Sequence, residues 1–133
     1  MQKTIFKDKY PVWRLELKKS EIKQTSVAEI ISYFKDKIQN HAFAEYIILF
    51  DHYKHIEKIG GAIIPEVLDM QNIVFCFGPD ILDTQIASVR PRSIGICQLE
   101  DRYIIEFMQP PSDKAHETMM EWTKALESKL KIS

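Results

Sequence analysis

Long apolar runs, metal-ligand spacings and net charge are what this sequence has little of. No stretch approaches the ~20 apolar residues that span a bilayer. The N-terminal MQKTIFKDKY is charged throughout and has no apolar centre of the secretory kind. A membrane partner is therefore not expected, and the expected location is the cytoplasm. The two cysteines, Cys76 in IVFCFG and Cys97 in SIGICQL, sit in apolar segments without CxxC spacing. That pattern argues against a zinc site and a disulfide framework, and it predicts two reduced, buried thiols. No HExxH and no second dense histidine cluster accompanies FDHYKH, so neither a metal nor a cofactor is expected. The formal charge is −1, and the aromatic residues fall on apolar stripes instead of alternating with lysine and arginine. Both features argue against a nucleic-acid partner. Nine Lys and Arg against five Asp and Glu in residues 1–40 read as solvated helix faces.

What is present fits one α+β domain over residues 1–133, with 45% apolar and 28% charged residues. YPVWRLEL (residues 10–17) alternates as a half-buried strand with Trp13, Leu15 and Leu17 on one face. Ser26 with Glu29 three residues on predicts a capped helix whose stripe is Val27, Ile30, Ile31, Phe34 and Ile38 and whose end lies near Asn40 or His41. AEYIILFDHY, apolar on both faces for five residues, predicts a central strand. Residues 54–72, with Gly60, Gly61 and Pro65, read as a turn or irregular excursion with a short edge strand at residues 62–64. NIVFCFG predicts a second buried strand, and DILDTQIASV two turns of helix capped by Asp80. SIGICQL and RYIIEFM predict an antiparallel hairpin through Glu100 and Asp101. After Pro110 and Pro111, a closing helix begins at Ser112, with Ala115, Met119, Trp122, Leu126 and Leu130 as its stripe and Lys124, Lys129 and Lys131 at its cation-favouring end. The expected architecture is a mainly antiparallel sheet with two long helices packed on one face. In topology it is similar to the TATA-binding-protein-like and helix-grip folds, which by themselves define no function.

Two stretches carry candidate chemistry. In FDHYKH, a continuing strand puts Asp51, Tyr53 and His55 on one face and His52 on the other. Asp51 and His55 then stand roughly 13 Å apart, too far for one metal; only a helical turn at Asp51 would bring them together. In VRPRSIG, Pro91 stiffens the chain between Arg90 and Arg92, and two guanidinium groups are displayed for a carboxylate or a phosphate. The competing expectation is that one arginine pairs with Asp51, Asp80 or Asp83 and staples the loop. Cys76 as a nucleophile with His52 or His55 is disfavoured by its apolar neighbours.

FDHYKH, NIVFCFG and VRPRSIG, followed by an aromatic strand, a proline pair and MEWTKAL, resemble a small proteobacterial family of uncharacterised proteins over nearly the whole chain. The resemblance implies a bacterial cytoplasmic origin and supplies no functional residues. The function expected from the residues is a binding module, as a homodimer, in which Asp51, His52, Tyr53, His55, Arg90 and Arg92 border one site for a small anion or an acidic partner group. The alternatives are an enzyme in which Asp51 with His52 or His55 transfers a proton, and an interaction protein with no small-molecule site.

Overall fold

The computed structural model describes residues 1–128; Lys129, Leu130 and Lys131, expected on the closing helix, lie outside the described residues. The elements run β1 (Gln2–Phe6), β2 (Tyr10–Lys18), a 3-10 turn (Lys19–Glu21), α1 (Val27–Gln39), β3 (Ala44–Asp51), α2 (His52–Ile59), β4 (Asp69–Phe77), α3 (Ile86–Val89), β5 (Arg92–Gln98), β6 (Arg102–Met108) and α4 (Asp113–Lys124). The chain is α+β, and its six strands form one antiparallel sheet in the order β1-β2-β6-β5-β4-β3. After β2 the chain crosses the sheet through α1 to the far edge and then returns strand by strand, so β6 closes against β2.

One face carries the core. Leu15, Ile73, Phe75, Ile96 and Ile105 come from the strands, and Ile30, Phe34 and Ile38 of α1 with Met119 and Trp122 of α4 cover them. Strand alternation and helical spacing make these two sets complementary. The start of α1 is fixed locally: Ser26 Oγ accepts the Glu29 N–H at 3.1 Å, while Thr25 donates its backbone N–H and hydroxyl to the Glu29 carboxylate at 3.0 and 2.8 Å. Those bonds hold the carboxyl below the ordinary glutamate pKa. Where the two longer helices meet, the Tyr33 hydroxyl donates to the Trp122 carbonyl. Thr123 is fully buried and satisfies its hydroxyl on the Met119 carbonyl at 2.7 Å.

Four expectations are corrected. β3 is an edge strand, paired with β4 alone among the described residues. Its two-sided apolar character is therefore exposed surface: Ile47, Ile48, Leu49 and Phe50 are 48, 57, 37 and 42% exposed. The strand stops at Asp51 instead of running on to Tyr53, because the Asp51 carboxylate accepts the Lys54 N–H at 2.9 Å and caps α2. Residues 62–64 make no strand; they belong to a strap that leaves α2 through Gly60 (φ 72°) and Gly61. A Cβ on Gly61 would stand 2.8 Å from Ile56 Cγ2, so the strap can lie this close to the helix only with glycine there. The helix expected from Asp80 shrinks to Ile86–Val89; Ile81 and Leu82, 84 and 85% exposed, find no surface to bury against. β1 is an addition that its short segment did not signal.

The strap folds back across the second sheet face. Val67 packs on Cys97, Leu99 and Ile104, and the Leu68 N–H donates to the Gln98 carbonyl at 2.9 Å. Beyond it the face is a charge ladder in which Arg14 meets Glu16 at 3.0 Å and Arg102 meets Glu16 and Asp101. The side chains of these pairs are 31% exposed or more, and such pairs contribute about 0–1 kcal/mol each.

Candidate functional site

The sheet divides the six candidate residues into two sets. On β5, Arg92 shares the core side with Ile94 and Ile96, whereas the next residue, Ser93, points to the opposite face and accepts a hydrogen bond from Asn72 Nδ2 at 3.1 Å. Asn72 Oδ1 in turn lies 2.9 Å from His52 Nε2. Arg92 and His52 are therefore on opposite sides of the sheet.

On the core side, Arg90 and Arg92 both line a cavity of about 310 Å³ with Phe77, Val89, Pro110 and Ser112. Arg90 has the extended backbone expected before proline (φ −120°, ψ 144°). Its Nη1 donates to Asp80 at 2.9 Å, through the backbone carbonyl and not the carboxylate. Arg92 donates to the carbonyls of Val89 (3.2 Å) and Met108 (2.7 Å). Neither arginine forms an ion pair with a carboxylate among the described residues. Burial lowers the Arg92 pKa from the ordinary arginine value, yet a guanidinium keeps its charge at any working pH. Its Nε is buried without a hydrogen-bond partner among the described residues. Gly78 completes the arrangement: at φ 139° it leaves the space that the Arg90 guanidinium fills. Gly78 and the Pro110–Ser112 wall did not stand out in the sequence, where they read only as element breaks.

On the opposite side, His52 and Tyr53 line a cleft of about 260 Å³ between α2, the strap and Met70 of β4. His55 is exposed and lies 5.5 Å from the Phe50 ring. Asp51 is engaged as the α2 cap, so neither histidine is hydrogen-bonded to it. Asn72 and Ser93 were missed; a lone asparagine opening the apolar run NIVFCF was the available signal. Cys76 is half-buried and Cys97 buried, both free. Burial, with Glu106 and Asp69 nearby, raises the Cys97 pKa, which keeps that thiol protonated. No group of three or more metal-ligating side chains occurs among the described residues, and no described helix is long and apolar enough to cross a membrane.

The molecule is thus a small α+β protein with one antiparallel sheet, a cationic cavity on its core side and an apolar cleft on the other. The chain belongs to the Family of unknown function (DUF6858), whose model matches residues 1–128. No curated protein and no solved structure matches it.

Proposed function

We propose that the protein is a binding module for a small anion, or for the acidic group of a partner, taken up between Arg90 and Arg92. The observation that supports it is that Arg90 and Arg92 line one cavity, their guanidinium groups bonded to carbonyl oxygens and without a carboxylate partner among the described residues. A half-buried cation that has lost part of its hydration gains from an anion more than an exposed one does. Proton transfer by Asp51 with His52 or His55 has less support, because each of those groups except His55 already has another partner.

The test is thermal unfolding across a panel of phosphate, sulfate and mono- and dicarboxylates. At a tenfold excess over Kd, one ligand of the panel should raise stability by about 1.4 kcal/mol. Arg90→Ala and Arg92→Ala should each cut that rise to about 0.4 kcal/mol or less. If no anion shifts the melting temperature saturably, or if both variants keep the shift, there is no such site.

The module assembles as a homodimer, with β3 of each copy pairing along its open edge. Four consecutive exposed apolar residues on an edge strand support this, since natural edges of that kind are usually blunted by charge or proline. Light scattering should give twice the monomer mass at about 100 µM, and Ile48→Lys should halve it. A monomeric wild type over the whole dilution series would remove the dimer.

A further inference from the structure

We propose that the cleft between α2, the strap and β4 is a second binding site, independent of the arginine cavity, for a small apolar molecule carrying one hydroxyl, with His52 as its polar anchor. The cleft is walled by Ile56, Ile64, Val67 and Met70. Ile64 and Met70 are 61 and 37% exposed, so a ligand seated there covers apolar surface that the chain itself leaves to water. At about 260 Å³ it falls below the ~300 Å³ at which drug-sized pockets begin, which restricts the occupant to something like a single substituted ring.

Two polar side chains, His52 and Tyr53, line the cleft, and His52 is held in place before any ligand arrives. Asn72 donates through Nδ2 to Ser93, which leaves Oδ1 as the acceptor facing His52, so His52 Nε2 is the nitrogen that donates across the 2.9 Å contact. With Nε2 engaged, Nδ1 is the ring nitrogen left for a ligand, and in the single-proton tautomer it is an acceptor. The ring is also fixed by the Phe50 ring, edge-on at 4.7 Å and 84°. Gly95, opposite Asn72 on β5, makes room for the carboxamide: a Cβ there would stand 3.2 Å from Oδ1. A mostly apolar wall with an imidazole fixed in orientation selects a hydroxyl-bearing hydrocarbon body over the same body without it.

The experiment is a methyl-resolved NMR titration of the full chain with 4-methylphenol and with toluene. The methyls of Ile56, Ile64, Val67 and Met70 should shift saturably with both probes. Toluene should bind about three- to tenfold more weakly, the discrimination of one hydrogen bond. His52→Ala should abolish that preference while keeping weak binding of both. Ala62→Phe, which places a ring in the cleft from the strap, should abolish binding of both without involving His52. The proposal is overturned if the four methyls show no saturable shift, or if the shifts spread equally to Ile47 and Ile48 on the β3 edge. Survival of the preference in His52→Ala, or unchanged binding in Ala62→Phe, overturns it as well. A failure of phosphate or carboxylates to bind at Arg90 and Arg92 leaves all of these outcomes unaffected.

Discussion

Trp122→Ala should lower stability by about 3–5 kcal/mol, the range for deleting a buried tryptophan, and the melting temperature by roughly 10–20 °C for a domain of this size. Trp122 is 7% exposed and sits where three elements converge. Its ring lies 5.8 Å from Phe75 of β4 and 5.9 Å from His41 just after α1, while its carbonyl receives the Tyr33 hydroxyl from α1. The alanine leaves a cavity that neither a strand nor a helix can close without moving. Trp122→Phe keeps most of the volume and should cost less than half as much. Since total stabilities are about 5–15 kcal/mol, the alanine variant should be close to the folding threshold at 37 °C. Urea unfolding followed by the fluorescence of Trp13 measures both variants; a loss below about 1 kcal/mol for the alanine would mean that α4 is not anchored through this ring.

Elements whose cause is local could be read from the chain. β2 alternates, α1 carries its own cap in Ser26 and Glu29, and β5 and β6 are adjacent strands on a short turn. Elements whose cause lies elsewhere could not. AEYIILF is as apolar as a central strand, and only the pairing order reveals that β3 has a single neighbour. Asp51 illustrates a second limit: a polar residue after a strand fits equally a solvated strand end and a helix cap, and strand parity carried past Asp51 misplaces His52, Tyr53 and His55. Ile81 and Leu82 show a third, because apolar periodicity forms a helix only where a partner surface exists. The candidate site was legible as residue types and not as one place. The stiff arginine pair does share a cavity, whereas the histidines belong to the other side of the sheet, a separation that the parity of Arg92 and Ser93 enforces.

Gly78→Ala tests whether the two arginines act from fixed positions or merely supply charge. At φ 139° the backbone occupies a region that L-residues rarely adopt, and an added Cβ would stand 2.2 Å from Arg90 Nη2 and 2.6 Å from Cζ. The backbone strain should cost about 1–3 kcal/mol. The guanidinium, being the far end of a flexible side chain, should swing away, losing its bond to the Asp80 carbonyl and its position beside the cavity that Arg90 lines. Anion affinity should therefore fall by tenfold or more, on the order of one charge-assisted hydrogen bond, even though the net charge is unchanged. Arg90→Ala should weaken binding to the same degree without the backbone strain. In the double variant the affinity losses should not add, because a displaced guanidinium and an absent one are equivalent to the ligand, while the stability loss of Gly78→Ala should persist. Additive affinity losses would mean that Gly78 shapes the cavity by some route other than seating Arg90. A Gly78→Ala protein that binds as the wild type does would mean that charge alone, wherever Arg90 carries it, attracts the anion.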